Sequence, residues 1–237
     1  LTWRPEVTVG QVRVGPVAVS EALRAVGYPA PATELVAQVG DAVVWVQELL
    51  PGRPVATVDE RMLDQLLALN ELHAGRLVDR RDVPSAELFL LRDGPGFCLH
   101  EPLRRYSARS AALQRWVASV GADSPVCAVG DDAVHMDWHP GGNVLAAGGV
   151  VTGVVDWDGA ARGDRRLDVV TLRFGVHRGG ASRAVVARLD AVLDGFPSSV
   201  LRWAWAHMSV RMVDWAIRHF DAVDVESWLD LAERRVS

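Results

Sequence analysis

The chain has no lysine: all 25 of its basic residues are arginine. Chemistry that needs an ammonium group must use a guanidinium instead, or a residue outside this sequence. Cysteine is nearly as scarce, with only Cys98 and Cys127 in 237 residues. Two thiols make neither a disulfide framework nor a zinc ligand set, and they fit a reducing, cytoplasmic setting. No apolar run reaches the roughly 18 residues a spanning helix needs, so no membrane partner is expected. No secretory signal pattern is visible, and with Leu1 as first residue the N-terminal lobe is expected to be incomplete at its start. A basic stripe is also missing. The net charge is −5 and the arginines are scattered, which argues against a nucleic-acid partner. What remains is 49% hydrophobic and 23% charged, enough for a real core. The length suits one large domain or two lobes of about 100–150 residues.

Residues 1–52 read as a β-rich lobe around one short helix, and 53–237 as a larger helical lobe. The β-branched run Ala42-Val43-Val44-Trp45-Val46-Gln47 predicts a strand, ended by Leu50-Pro51-Gly52. A short helix is expected between Val17 and Val26, stopped by Gly27 and Tyr28-Pro29. A long one starts near Asp59, where Met62, Leu66, Leu69 and Leu72 recur at helical steps. The stretch from Arg81 to Pro102 reads as irregular, with a turn at Gly94-Pro95-Gly96, and a further helix is expected from Arg105 to Val120. Short strands follow at 133–136, 143–146 and 150–155, the last two joined by a Gly148-Gly149 hairpin. Beyond Leu167 the pattern is helical. There Leu201, Trp205, Met208, Met212 and Trp215 form a stripe that reads as core packing.

One segment carries chemistry: His135-Met136-Asp137-Trp138-His139-Pro140-Gly141-Gly142-Asn143, followed by Val154-Val155-Asp156-Trp157-Asp158. A strand delivers Asp137 into a loop, Asn143 ends that loop, and the hairpin brings Asp156 back beside Asn143. Two carboxylates and an amide oxygen then lie near one point. Phosphoryl transfer needs these parts: one carboxylate for the proton of the attacking hydroxyl, and oxygen ligands for Mg²⁺ on the nucleotide phosphates.

This pattern resembles the aminoglycoside phosphotransferase family, relatives of choline kinases and protein kinases. Gly163-Asp164 with Leu167-Asp168, Tyr28-Pro29-Ala30-Pro31 and Gln47-Glu48-Leu49-Leu50-Pro51-Gly52 resemble further parts of it, so the likeness runs from about Pro29 to Phe174. The resemblance implies a bilobal, kinase-like α+β fold that uses ATP or GTP with Mg²⁺. It implies Asp137 as catalytic base, Asn143 and Asp156 as metal ligands, and His135 and Asp168 as structural supports of the loop. The hinge at 48–52 would bind the nucleotide base through the backbone of Glu48, Leu49 and Leu50.

The chain departs from the family in three places. One extra Gly, 141 or 142, separates Asp137 from Asn143. A bulge is expected to absorb it, because Gly tolerates positive φ. No glycine-rich phosphate loop is visible and the strand lysine is missing, with Arg4 on Leu1-Thr2-Trp3-Arg4 as the substitute that could neutralise phosphate. The helix carboxylate that would partner that cation has only Glu21 as a candidate.

Several residues keep two readings. His139 is either beside the substrate or on the surface. Asp158 is either near the metal and substrate or a helix cap. Arg162, Arg165 and Arg166 are expected in ion pairs or solvated rather than on phosphate. Between Asp190 and Glu233 there are eight acidic residues against three arginines, which would attract a cationic small molecule such as an antibiotic. An amino alcohol or sugar as substrate, a fold that binds ligand without catalysis, and a metal hydrolase built on His135, Asp137 and His139 are the alternatives.

Overall fold

The computed structural model describes residues 1–178 and 180–236, which fall into two compact units. The first comprises Leu1–Ala86 and Val129–Leu189; the second comprises Glu87–Ala128 and Asp190 onward.

The first unit opens with β1 (Thr2–Pro5) and then turns helical earlier than the sequence suggests. Thr8 caps α1 (Val9–Val12) by exchanging hydrogen bonds with Gln11. A π-turn at Arg13–Val17 then leads into α2 (Ala18–Arg24). Gly10, Gly15 and Pro16 are poor helix formers, and they hide this first half from propensity reasoning. Gly15 leaves helical geometry altogether, at φ −98° and ψ −106°. Next come β2 (Thr33–Val39) and β3 (Ala42–Gln47), and β1 joins them antiparallel in the order β1-β3-β2. Val12, Val17, Val36, Val43 and Trp45 form the core between this sheet and its helices.

A two-residue β4 (Arg53–Pro54) follows, then α3 (Glu60–Glu71), whose Asp59 cap accepts from Met62 N at 2.7 Å. In the second unit the helix expected over Arg105–Val120 is α5 (Ala108–Ala122), and a separate α4 (His100–Tyr106) precedes it, beginning inside the stretch read as irregular. Ser107 separates them in extended geometry, because its hydroxyl caps α5 through Ser110 N instead of continuing α4.

Returning to the first unit, the chain forms β5 (Asp132–Val134), α6 (Pro140–Asn143), β6 (Val144–Ala147), β7 (Val150–Val154), β8 (Ala161–Gly163) and α7 (Arg166–Gly175). Strands β4, β6 and β7 make one antiparallel sheet and β5 pairs with β8. After α8 (Arg183–Asp194), the second unit closes with α9 (Ser198–His219) and α10 (Ala222–Ala232).

On α9 the stripe expected as core is only partly so. Trp205 and Met208 are buried, but Trp215 is 44% exposed and lies against the His219 ring at 4.0 Å. Steps of four and three drift by about 20° per seven residues on a straight helix, which carries the last member out of the seam. No helix among the described residues is long and apolar enough to cross a membrane.

Candidate active site

Every candidate site residue lies in the first unit. The loop after β5 is held from beneath by Asp168, in the first turn of α7 and wholly buried. Its carboxylate accepts from His135 N at 2.8 Å and from Met136 N at 3.0 Å. This clamp keeps Met136 at φ 70°, a left-handed conformation that a long side chain adopts only under constraint. Beside it, His73 at the end of α3 sits 3.0 Å from Ala133 O and 3.5 Å from Asp168 Oδ2.

The His135 ring uses both nitrogens inside the protein. Nε2 lies 2.9 Å from Val155 O, and Nδ1 accepts from Asp137 N at 3.3 Å. That pattern assigns a neutral imidazole with its proton on Nε2. Burial pushes its pKa down, and the nearby Asp168 carboxylate opposes the shift. With both nitrogens committed, His135 is no metal ligand, which removes the basis of the hydrolase alternative.

Asp137 and Asn143 are brought together by backbone closure. His139 N donates to Asp137 O at 3.0 Å, Asn143 N to His139 O at 3.2 Å, and Asn143 Nδ2 to Asp137 O at 2.8 Å. The extra glycine therefore lies in the one-turn α6 and not in a strand bulge, and neither Gly141 nor Gly142 has positive φ. A helical turn absorbs an added residue without flipping the strand that follows, because β6 starts afresh at Val144. That residue is buried opposite Val154. The register irregularity falls later, between Leu145 and Ala146. A Cβ at Gly142 would stand 2.7 Å from His139 Cε1, so a side chain there would have to move the His139 ring.

Asp156 is tied to the same point through its neighbour, since Val155 N donates to Asn143 O at 2.9 Å. It follows β7 in left-handed geometry, φ 64° and ψ 58°, and leads into a tight 3₁₀ turn at Trp157–Gly159. Trp157 wedges that turn in place, with Nε1 donating to Val154 O and its ring 4.5 Å from the His135 ring. Although Asp156 is open to solvent on one side, burial of its carboxyl pushes its pKa up, and Asp158 and Asp137 add to the shift. The Arg4 guanidinium opposes it. Asp156 thus feels two further carboxylates, although among the described residues no three His, Cys, Asp or Glu side chains stand close enough together to hold a metal as they are. Since the Asn143 amide gives its N–H to Asp137 O, its Oδ1 is left as an acceptor, and an oxygen set of this kind suits Mg²⁺.

Arg4 and Asp158 meet each other. Arg4 Nε and Nη2 each lie 2.8 Å from Asp158 Oδ2. Asp158 makes no side-chain cap to the 3₁₀ turn, so the cap reading gives way to an ion pair. Glu21 is exposed on α2, and Arg4 takes its carboxylate from the loop instead. His139 is half-exposed, with Nε2 4.0 Å from Asp137 Oδ2. In the hinge, Glu48 N donates to Ala32 O, while its carboxylate accepts from Ala32 N and Arg24 Nη1. Its N–H is thus already bonded within the fold. Leu49 is 95% exposed, and Leu50 packs over Gly153.

Arg162, Arg165 and Arg166 are ion-paired with Asp131, Glu71 and Asp164. The acidic surplus of the C-terminal helices is also largely paired internally. Arg109 holds Glu226, Asp230 and Glu233; Arg235 holds Asp194; Arg218 holds Asp214; and Asp221 caps α10. Arg109 and Arg235 lie outside the 190–233 window, so counting charge within it overstated the free negative charge.

Sequence reasoning missed the Arg4–Asp158 pair and His73. Arg4 and Asp158 are 154 positions apart, and a lone His after a helix carries no local signal.

A strand–loop–hairpin whose hydrogen bonds tie Asp137, Asn143 and Val155 together, on a mixed α+β scaffold with a small antiparallel sheet, has the layout of a kinase-like phosphotransferase. The chain belongs to the phosphotransferase enzyme family, whose sequence model matches residues 15–199. Its fold is similar to that of a thermostable mutant of aminoglycoside phosphotransferase APH(4)-Ia, solved in ternary complex with ADP and hygromycin B. The two are 15% identical with a TM-score of 0.62, over 92% of this chain and 81% of that one. An aminoglycoside phosphotransferase from Alicyclobacillus acidocaldarius is 16% identical, with a TM-score of 0.53 over 97% and 80%. An aminoglycoside-3'-phosphotransferase of type VIII is 20% identical, with a TM-score of 0.50 over 83% and 80%. These likenesses are of fold. Comparison with curated proteins by sequence gives no match.

Proposed function

We propose that this enzyme transfers the terminal phosphoryl group of ATP or GTP to a hydroxyl of a small, cationic, antibiotic-like molecule. The observation that carries the reading is the hydrogen-bonded closure joining Asp137, Asn143 and Val155, the residue before Asp156. Asp137 is the base. It stands on a loop clamped by Asp168 and accepts the proton of the attacking hydroxyl as the new P–O bond forms and the bond from the γ-phosphorus to the leaving nucleoside diphosphate breaks. Asn143 Oδ1 and the Asp156 carboxylate are the groups that would hold Mg²⁺, which when bound supplies charge neutralisation on the nucleotide phosphates. Arg4 would add a permanent positive charge on the phosphate side. His139, with Nε2 4.0 Å from Asp137 Oδ2, would meet the acceptor. The nucleotide base would lie along the 48–52 hinge, taking its backbone contacts from Leu49 and Leu50, because the Glu48 N–H is bound to Ala32. Residues 1–52 would then act as the nucleotide-side lobe.

The cationic character of the acceptor follows the family resemblance, since the C-terminal carboxylates are mostly paired. A screen of ATP and GTP consumption against aminoglycosides, cyclic peptide antibiotics, amino alcohols and sugars tests the proposal. Turnover with an antibiotic class is expected. Turnover with only amino alcohols or sugars would make the enzyme metabolic, and nucleotide binding with no turnover on any acceptor would refute catalysis.

A further inference from the structure

The lack of lysine leaves the phosphate side of this site to a guanidinium, and a guanidinium has two usable edges. Arg4 commits one of them: Nε and Nη2 both point at Asp158 Oδ2, at 2.8 Å each. The other edge, Nη1 with the second Nη2 hydrogen, has no protein partner among the described residues. The Asp158 side chain is only 15% exposed, whereas Arg4 is 51% exposed. The carboxylate is therefore the fixed member of the pair and the arginine the mobile one. β1 contributes Arg4 and the turn after Asp156 contributes Asp158, so the pair fastens the sheet to the loop that carries the candidate metal ligand. Glu21 on α2 supplies no such link.

We propose that Asp158 is a positioning residue for nucleotide binding: it holds Arg4 by the Nε–Nη2 edge so that the free edge faces the nucleotide phosphates. The planar guanidinium presents its two edges in fixed directions, so one edge can hold a carboxylate while the other is aimed at phosphate. The inference rests on the reading of Arg4 as a phosphate-side group. Its consequence runs against simple electrostatics. A carboxylate near phosphate repels it, so neutralising Asp158 should tighten nucleotide binding if charge alone mattered. If Asp158 acts through Arg4, neutralising it should weaken binding.

The test is a double-mutant cycle on ADP affinity, measured by calorimetry with EDTA and again with Mg²⁺, using Arg4→Ala, Asp158→Asn and the double variant. Without metal, Arg4→Ala should weaken ADP binding about tenfold or more, as expected for a lost charge-assisted hydrogen bond. Asp158→Asn should weaken it about threefold, in the range of a partly exposed pair. In the Arg4→Ala background, Asp158→Asn should weaken binding no further. Asp158→Glu should recover part of the loss, and thermal melting of each variant checks that the fold is kept. With an acceptor in hand, the effect should fall on the nucleotide KM more than on kcat. Tighter ADP binding in Asp158→Asn, or the same loss with and without Arg4, would overturn the positioning role. Failure of the parent protein itself to bind Mg·nucleotide would instead refute the phosphotransferase reading, so the two failures are distinct.

Discussion

Replacing Asp168 by Asn should damage this protein more than its distance from any substrate suggests. The carboxylate is wholly buried and accepts two backbone N–H groups at 2.8 and 3.0 Å. Hydrogen bonds to a charged group contribute about 1.5–3 kcal/mol each. An amide of the same shape keeps one acceptor but turns its other end into a donor facing an N–H. One bond is lost outright, one becomes neutral, and a buried donor is left unsatisfied. A loss of about 3–5 kcal/mol is expected, against a total of about 5–15 kcal/mol for a typical domain. At roughly 2–4 °C per kcal/mol for a chain of this size, the melting temperature should fall by about 6–20 °C. The same change frees Met136 from φ 70°, and a relaxation there moves Asp137, its neighbour. Urea unfolding gives the stability, and turnover with nucleotide affinity at a temperature where the variant is folded gives the rest. Turnover should drop well beyond affinity. A destabilisation under about 1 kcal/mol would refute the reasoning, because losing two buried charge-assisted bonds costs more than that.

Two further predictions concern other sites. Gly142→Ala should displace the His139 ring and lower turnover, because the new Cβ would meet His139 Cε1 at 2.7 Å, whereas Gly141→Ala enters open space and should be neutral or slightly stabilising; equal effects of the two on activity would contradict the packing argument. Burial, with Arg211 adding, pushes the pKa of His207 down from 6.5 to about 3, so below pH 6.5 the unfolded chain takes up a proton that the folded chain refuses. The stability from neutral His207 is present in full above pH 6.5 and is lost as pH falls toward 3, at up to about 1.4 kcal/mol per pH unit. Urea midpoints of the parent and His207→Gln should therefore converge between pH 7 and pH 5; parallel curves would show that His207 does not carry this linkage.

The legible parts of the fold were those with strong local signals. The run Ala42–Gln47 reads as a strand because it is β-branched and apolar, and Asp59 announces α3 as a cap. The helix from Val9 was hidden because Gly10, Gly15 and Pro16 override propensity, while tertiary packing of Val12 and Val17 restores it. The break at Ser107 was hidden because Arg105 to Val120 is helix-compatible throughout, and only a capping hydroxyl decides where one helix stops. Around the site, the order of strand, loop and hairpin was readable because Asp137, Asn143 and Asp156 sit close in sequence. How the chain absorbs the added glycine was not, since a turn of helix and a bulge have the same length. Links that span the chain, such as Arg4 to Asp158, leave no trace in local pattern.

The central claim is that Asp137 acts on the proton while Asp156 acts on the metal-bound nucleotide. Turnover and Mg·nucleotide affinity should be measured side by side for the parent, Asp137→Asn and Asp156→Asn, with whichever acceptor the screen identifies. Asp137→Asn should lose about 10²–10⁴ in turnover and keep nearly all nucleotide affinity, the signature of a general base. Asp156→Asn should lose the Mg²⁺-dependent part of affinity as well. Equal loss of nucleotide affinity in both variants, or an Asp137→Asn enzyme that still turns over normally, would contradict the account.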